Sequence, residues 1–364
     1  MKEILKTYTL VLTCDSPVFI GSEKSLMKKE YIFEKNKVYI PNLPVMFEEL
    51  RKMHLDASFE NYLLGGGGQP LSEWLKKNKV KPSVWQKWTS YSVDFQSANW
   101  EYLDINPFVK DAYGNPYVPG SSVKGLLRTV LMARKLQDNP SDFQTVQQDV
   151  IKNASKNNRK NCLKDEAKTL EVQSFHQLKR NEKRRYDAVN DVLCGIRIGD
   201  SEPLKTSDLT LCQKIDIDKD GKRNALPLLR ESLKPGTVIR LPMTIDTEIC
   251  KETPESILRA VTSFGECYDE CFRKKFRGCL RLRPNNVWLG GGCGFFTKTE
   301  VYPLLGEKNG VRVTSDIFRT TLGRNFDRHK HGGDIARGVS PHTIKFTLYG
   351  GKLYEMGKCR LDIQ

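Results

Sequence analysis

The sequence lacks any apolar run of the roughly 20 residues that a membrane-spanning helix needs. Its N-terminus, MKEILKTYTLVLTCD, mixes polar residues into a short apolar stretch, which predicts a strand and not a secretory signal peptide. The 10 cysteines include no CxxC pair, which argues against a zinc ribbon. These absences predict a cytoplasmic protein without membrane contact whose thiols are reduced.

Familiar catalytic motifs are also missing. The chain has no GxSxG elbow, no HExxH and no Walker A loop, which excludes the hydrolases, metalloproteases and nucleotidases that depend on them. Only 5 histidines are present. A metal-free ribonuclease needs a general acid and a general base, and His176, Lys179 and Tyr186 in a basic segment can supply them. Exposed residues that contact phosphate are the simpler interpretation of this segment.

Acidic residues are absent from positions 271–299, which contain seven Lys or Arg and end in a glycine cluster. The whole chain of 364 residues has a formal net charge of +15 and a pI near 9.3. Such a charge is typical of nucleic-acid-binding proteins, although a merely soluble basic protein gives the same balance. Because the charge spreads well beyond the glycines, a phosphate polymer fits better than a single metabolite.

The pattern of apolar residues predicts an α+β protein. The length exceeds the roughly 250–300 residues at which one core stops growing, which favours two lobes. Two main helices are expected, one opening at Ser121 or Ser122 and one at Thr253-Pro254. Residues 138–190 are polar and basic, and we interpret them as an insertion, part helical and part mobile. Strands are expected at 4–13, 29–33, 37–40, 194–199, 209–217, 237–245, 343–349 and 358–363.

The first helix start is a candidate anion site. Ser121 and Ser122 can each cap it, and a helix N-terminus offers free N–H groups and partial positive charge. Lys124 and Arg128 lie four residues apart on one face, so both can reach one phosphate. An ordinary capped helix with two solvated cations is the alternative.

The glycine loop is the second candidate. Gly290, Gly291, Gly292 and Gly294 allow a close backbone approach, and Thr297 and Lys298 can hold an oxyanion. The aromatic residues Trp288, Phe295 and Phe296 can stack on bases. The alternative is a tight turn between strands with its aromatic residues in the core.

Two groups of residues are candidate metal ligands. Cys267, Cys271, Cys279 and Cys293 follow one another without zinc-ribbon spacing, and buried thiols of a core explain them better. His329, His331, Asp334 and His342 can gather around an ion, whereas a solvated or RNA-facing loop is the simpler interpretation. We therefore expect neither a metal nor a cofactor.

Five segments, taken in order, resemble the RAMP superfamily of CRISPR effector proteins. They are Ser16-Pro17-Val18-Phe19-Ile20-Gly21-Ser22 with Val38–Pro41, Tyr117–Arg128, Ile198–Pro203, Gly290–Thr299 and Ser340–Lys345. Within the superfamily, the chain looks like the subunit of type III-A (Csm) complexes that caps the 3′ end of the guide RNA. Two positions depart from the pattern: Phe19 stands where relatives often carry His, and His342 where they often carry Arg.

The resemblance implies a ferredoxin-like (RRM-like) β-α-β-β-α-β core with long insertions and a second, degenerate RRM-like domain. The domains are expected at 1–230, with the insertion at about 138–190, and at 231–364. It further implies RNA contacts through the helix start and the glycine loop. The expected contacts are Gly21, Ser22, Ser121, Ser122, Lys124, Arg128, Gly290, Gly291, Gly292, Gly294 and Lys298.

The implied function is non-catalytic binding of CRISPR guide RNA, with assistance to guide maturation and complex assembly in antiviral defence. The implied partners are other Csm subunits, especially the adjacent backbone subunit, and host nucleases that trim the 3′ end. Three alternatives stay open from sequence: a RAMP-type endoribonuclease that processes precursor guide RNA, another RAMP subunit of a type III complex, and a nucleotide-binding enzyme that uses the glycine loop.

Overall fold

The computed structural model describes residues 4–66, 68–95, 103–156 and 159–364. The helices are α1 (Leu43–Lys52), α2 (Asp56–Leu64), α3 (Leu71–Lys77), α4 (Pro82–Trp85), α5 (Gly120–Asp138), α6 (Gln144–Asn153), α7 (Lys164–Phe175), α8 (Pro254–Cys271), α9 (Val301–Leu322), α10 (Asn325–Arg328) and α11 (Asp334–Arg337). The strands are β1 (Leu5–Cys14), β2 (Ile32–Glu34), β3 (Lys37–Pro41), β4 (Thr89–Phe95), β5 (Ile105–Asn106), β6 (Ile196–Ile198), β7 (Leu209–Asp218), β8 (Arg223–Leu233), β9 (Val238–Asp246), β10 (Asn286–Trp288), β11 (Thr343–Tyr349), β12 (Lys352–Glu355) and β13 (Lys358–Ile363). The prediction of an α+β fold is confirmed.

The first sheet has the strand order β10-β13-β1-β9-β6, and all of its pairs are antiparallel. Along the chain, β1, α5, β6, β9 and α8 follow the β-α-β-β-α order expected from sequence. The place beside β1 is taken by the C-terminal strand β13, and β10 lies outside it. The ferredoxin-like core therefore stays a prediction.

The second sheet has the order β12-β11-β7-β4-β3-β2, with β8 also paired to β7 and β5 paired to β8. Each sheet combines strands from before and after residue 230, and that position lies inside β8. The division into two RRM-like domains stays a prediction. The segment 138–190 carries α6 and α7, which pack beside α5 and α9.

A single large apolar core joins the two sheets to α5, α8 and α9. It includes Leu10 and Leu12 of β1, Leu127 of α5 and Val261 of α8. A smaller aromatic cluster lies under α1 to α4, with Trp74, Trp85 and Trp88 at its centre. Among the residues described, no helix combines the length and apolarity that crossing a bilayer would require.

The sequence-based expectation of two main helices is wrong, because α9 is a third long helix of 22 residues. Pro303, Gly306 and Gly310 interrupt its apolar pattern. Gly306 adopts φ 68°, where the helix is kinked. The helix forms because Val301, Leu304 and Val313 are buried against α5 and α8, so tertiary packing outweighs a poor local propensity.

Candidate nucleic-acid interface

The start of α5 is capped from another segment. The N–H of Gly120 donates to Oδ1 of Asp200 at 2.8 Å, and the N-cap position is Pro119, which has no capping side chain. The prediction that Ser121 or Ser122 caps this helix is therefore wrong. Both serines lie in the first helical turn, where Ser121 is exposed and Ser122 half-buried. The two hydroxyls remain available at the surface of the helix start.

Lys124 and Arg128 already have partners within the protein. The Lys124 ammonium donates to the carbonyl oxygen of Ile196 at 2.8 Å. The Arg128 guanidinium donates to Asp191 at 2.6 Å and to Glu171. Two carboxylates thus neutralise Arg128, so this face carries less free positive charge than the sequence suggests. Contact of either cation with RNA stays a prediction.

The glycine loop packs against the N-terminal segment. Gly290 has φ 84°, and a Cβ added there would lie 2.1 Å from the carbonyl oxygen of Phe19. The N–H of Gly291 donates to that same oxygen at 2.7 Å. Gly21 and Ser22 lie two and three residues after Phe19, and the Ser22 N–H donates to the carbonyl oxygen of Pro107 at 3.2 Å. The structure therefore brings these two predicted segments together.

Three cations on one face of the second sheet lie beside this loop. Lys214, Arg230 and Lys345, which we call the sheet-face cluster, come from β7, β8 and β11. Arg230 pairs with Cys212 of β7, and Lys345 pairs with Asp216 of β7. Because Cys212, Lys214 and Asp216 are alternate residues of β7, the side chains of the three cations lie on one face of the sheet. Lys345 donates to Asp216 at 2.8 Å.

Arg230 of this cluster is short of partners. Its guanidinium lies 5.0 Å from the centre of the Phe19 ring, and Nε and Nη1 are buried without a hydrogen-bond partner among the described residues. A Cβ at Gly292 would lie 2.4 Å from Nη1, so the loop covers the guanidinium. Burial lowers the pKa of Arg230, and burial with the neighbouring Lys345 ammonium lowers that of Lys214. A nearby anion would relieve both effects.

The aromatic residues of the loop divide between core and surface. Trp288 and Phe296 are 3% and 1% exposed, so the expectation that they stack on bases is wrong. Phe295 is half-buried and packs edge-on against Phe318, with ring centres 5.1 Å apart. Phe295 is the one member of the predicted trio that can still meet a base.

Part of the basic run 271–299 is structural. Arg273 is fully buried and donates to Glu355 at 2.9 Å and also to Asp269. Lys275 pairs with Glu307. The absence of acids within the run concealed these partners, because all of them lie elsewhere in the sequence. Arg277, Arg281 and Arg283 are exposed and keep their charge at the surface.

The two candidate segments also meet at a cavity. Arg128 of α5 and Lys298 of the glycine-loop region both line a space of about 390 Å³. Its other walls come from α6, α7 and α9. Lys298 is exposed and forms no salt bridge within the described ranges. The helix start and the loop therefore lie on the same side of the molecule.

A His-Asp-His cluster lies in the segment after α9. Nδ1 of His331 and Nδ1 of His342 lie 2.8 and 2.7 Å from the two carboxylate oxygens of Asp334. Burial alone would raise the pKa of Asp334, but hydrogen bonds from both histidines and from Ser340 lower it. His329 does not join them. These contacts hold His331, Asp334 and His342 together, with candidate ligand atoms within 4.8 Å of one another.

The candidate residues for RNA cleavage lie in the insertion. Nδ1 of His176 is 2.8 Å from the carbonyl oxygen of Arg185. Tyr186 is 54% exposed, and the Lys168 ammonium lies 3.8 Å above its ring. Each side chain has a structural contact of its own, as expected for residues of a basic surface.

Comparison with known proteins gives consistent matches. The model of the RAMP superfamily matches residues 11–297. The chain is 31% identical to the CRISPR system Cms protein Csm5 of Mycobacterium tuberculosis, over 100% of this chain and 99% of that protein. It is 27% identical to the Csm5 protein of Streptococcus thermophilus, over 82% of this chain and 81% of the relative.

Two solved structures share the fold. One is a chain in the cryo-EM structure of a Csm–crRNA–target RNA ternary complex of a type III-A CRISPR–Cas system. It has a TM-score of 0.66 and 17% identity, and the match covers 98% of this chain and 100% of that one. The other is the crystal structure of T. onnurineus Csm5, with a TM-score of 0.52 and 15% identity over 96% and 99% of the two chains.

Proposed function

The chain belongs to the RAMP superfamily and to its Csm5 family, and from this premise we propose that it binds the CRISPR guide RNA and caps its 3′ end in a type III-A Csm complex. The related fold occurs in a complex that contains crRNA. The proposal includes a ferredoxin-like core, two RRM-like domains and a cytoplasmic location. It also includes contact with the adjacent backbone subunit, and with host nucleases during trimming of the 3′ end.

The observation that carries the proposal is the state of Arg230. Buried N–H groups are nearly always paired, and an unpaired one costs roughly 1–3 kcal/mol. Arg230 has two such nitrogens, next to Lys214, Lys345 and the glycine loop. Because the glycine loop covers Nε and Nη1, a backbone phosphate at the edge of this cluster would act through its negative charge, which offsets the burial of these cations. Such a contact holds RNA of any sequence, as a protein that accepts every guide requires.

The proposed RNA path runs from this cluster along the glycine loop to Lys298 and the start of α5. Gly21, Ser22, Gly290, Gly291, Gly292 and Gly294 lie along its first part. Ser121, Ser122, Lys124 and Arg128 lie along its second part. We expect Lys298 to contribute more to affinity than Arg128, because two carboxylates already offset the charge of Arg128.

The test is the salt dependence of RNA binding. Arg230→Met and Lys298→Gln each remove a charge that has no salt-bridge partner among the described residues, so neither leaves a carboxylate unpaired. The double variant should bind all single-stranded RNAs more weakly. The slope of log affinity against log salt should fall by about 0.7 per lost contact. Fluorescence anisotropy with labelled RNAs of different sequence measures both quantities.

The matched control also removes two positive charges, but from helix α3. Lys76 and Lys77 are exposed there, on a helix that packs against β2. Lys76→Gln with Lys77→Gln should leave the slope nearly unchanged. Equal losses from the two double variants would show that binding follows net charge alone, and the proposed path would be wrong.

The role is proposed to be non-catalytic, with the endoribonuclease as the rival. Purified protein incubated with precursor guide RNA in EDTA should leave the RNA intact. Cleavage that is lost in His176→Ala or Tyr186→Phe would favour the rival instead.

A further inference from the structure

We propose that His331, Asp334 and His342 form a binding site for a divalent transition-metal ion, and that zinc is this ion. The inference goes beyond the proposed function, because it requires no RNA. It also departs from the sequence-based expectation that the chain binds no metal. The sequence shows these residues without the spacing of a familiar zinc motif, whereas the structure brings all three side chains together.

The distances between the three side chains fit a single ion. Candidate ligand atoms of His331, Asp334 and His342 lie within 4.8 Å of one another. Ligand atoms that bond a tetrahedral zinc ion at roughly 2.0–2.1 Å lie about 3.4 Å apart. The three atoms therefore reach bonding distance through shifts of about 1 Å or less, which small rotations of the side chains supply.

The fold aims both imidazoles at one buried carboxylate. Asp334 is the first residue of α11, and its side chain is 0% exposed. Nδ1 of His331 and Nδ1 of His342 each face a different oxygen of this carboxylate. An ion between them would replace these two hydrogen bonds. Each imidazole would then bind the ion through Nδ1 and carry its proton on Nε2.

The donor atoms select the class of ion. Imidazole nitrogen together with carboxylate oxygen suits Zn²⁺ and its neighbours among the transition metals, whereas Ca²⁺ and Mg²⁺ prefer oxygen ligands alone. Three protein ligands leave a fourth tetrahedral position for a water molecule. The side chains of His331 and His342 are 12% and 15% exposed, so an ion can enter the site from solvent.

The surroundings of the three ligands include two supporting contacts and one opposing charge. The Ser340 hydroxyl donates to Oδ2 of Asp334 at 2.8 Å, and hydrogen bonds of this kind orient metal-binding carboxylates. Phe318 packs on the His331 ring, with ring centres 4.6 Å apart. Arg337 opposes a cation, since its Nη1 lies 3.6 Å from Oδ1 of the same carboxylate. The Arg337 side chain is exposed and can turn towards solvent when an ion binds.

An ion at this site would tie down the connection between α9 and β11, which comprises residues 323–342. His331 and Asp334 lie in the middle of the connection, and His342 lies at its end beside β11. Coordination by all three would therefore fasten the middle of the connection to the start of the strand. Zinc should slow cleavage by trypsin at Arg324 and Arg328, which are exposed in this connection.

The main experiment is calorimetric titration of zinc into the full-length protein, after EDTA treatment and dialysis. One ion should bind per chain. Ser340→Ala, which removes only a supporting hydrogen bond, should weaken zinc binding about 10- to 100-fold. His331→Ala and His342→Ala remove ligands and should weaken it further. His329→Ala is the matched control, because His329 is an exposed histidine of the same connection outside the cluster, and zinc binding should not change.

Cobalt substitution identifies the donor atoms. The free cysteines among the described residues offer a competing thiolate site for the same ions. Cobalt(II) bound by imidazole and carboxylate should give visible d–d bands without the near-ultraviolet charge-transfer band of a cobalt–thiolate bond. A thiolate band that His331→Ala leaves unchanged would place the ion on cysteines and overturn the proposal.

Arg337→Gln separates a metal site from a cluster that is only hydrogen-bonded. Removing the opposing charge should tighten zinc binding about 3- to 10-fold, because Arg337 repels a cation at this distance. This variant keeps all three ligands, so it tests the site even if a histidine variant does not fold. Zinc binding that is unchanged in Arg337→Gln and no tighter than in His331→Ala would overturn the proposal, whether or not the protein binds RNA.

Discussion

At the scale of single residues, the clearest cost to stability is the carboxyl of Glu300, whose Oε2 is buried without a hydrogen-bond partner among the described residues. Its pKa in the folded protein is raised by burial above the ordinary value of 4.5. The folded state therefore holds a proton that the unfolded state releases as the pH rises above that value. By linkage, this group lowers the free energy of unfolding progressively with increasing pH, until the folded form also titrates.

Glu300→Gln should therefore stabilise the protein, and more at pH 8 than at pH 5. The amide keeps the shape of the side chain and removes the titrating group. We expect a gain of roughly 1–3 kcal/mol at pH 8, measured by chemical unfolding. Glu48→Gln is the control, because it makes the same substitution at an exposed position on α1. A gain of equal size at both pH values would contradict a raised pKa of Glu300 in the folded protein.

The residues of the site were predictable only in part. The glycines and Lys298 could be found from sequence, since local composition marks them. Arg230, Lys214 and Lys345 could not, because their proximity depends on pairing between β7, β8 and β11. No local sequence pattern predicts the burial of Glu300 either, since that burial follows from tertiary packing around the start of α9. Non-local contacts of this kind leave no periodic pattern in the sequence.

At the scale of elements, the start of α5 shows how a distant turn fixes a helix. Asp200 follows β6 and accepts from Gly120, while Ser201 accepts from the N–H of Val118 at 2.9 Å. A Cβ at Gly120 would lie 2.3 Å from the carbonyl oxygen of Ile198, so this junction is tight. The helix itself was predictable from its apolar stripe. Its cap was not, because the capping group is 80 residues away in the chain.

Asp200→Ala should lower the free energy of unfolding by about 0.5–2 kcal/mol, as loss of an N-cap does. The reason is that the N–H of Gly120 loses its acceptor at the positive end of the helix dipole. The measurement is the denaturant midpoint, with an unchanged slope of unfolding.

Glu202→Ala is the matched control for this variant. Glu202 is an exposed acid two residues further on, and its backbone bonds to Arg240 while its side chain caps nothing. It should shift the midpoint by less than about 0.5 kcal/mol. Equal effects of the two variants would mean that general loss of negative charge on a basic protein, and not the cap, sets the stability of this junction.

At the scale of the whole molecule, chain order and spatial order differ. The N-terminal strand β1 lies between β9 and β13, and both of these neighbours come after residue 230. In the second sheet, β7 likewise pairs with β11 from the C-terminal part. The α+β class followed from alternating patterns along the chain. The interleaving of the two sheets did not, because pattern alone does not say which strands pair.

The division into two domains can be tested by expressing each predicted domain as a separate fragment. A chain of residues 1–230 lacks both neighbours of β1, and one of these, β9, is also the strand that pairs with β6 among the described residues. It also lacks α8, against which α5 buries its apolar face. We expect this fragment alone to show no cooperative unfolding transition, because an isolated strand and an uncovered helix face cannot offset the entropy of ordering them. The full chain should unfold in one main transition by calorimetry.

The complementary fragment provides the decisive comparison. Residues 231–364 contain β9, β10 and β13 but lack β1. Because β1 lies between β13 and β9 in the sheet, these two strands lose the partner that joins them. Co-expression of the two fragments should restore a soluble, cooperatively folded complex, since each supplies the strands that the other lacks. A cooperative transition in residues 1–230 alone would establish an independent N-terminal domain. In that case residues 1–230 would fold without β9 and β13. The contacts between the parts before and after residue 230 would then be an interface between two domains.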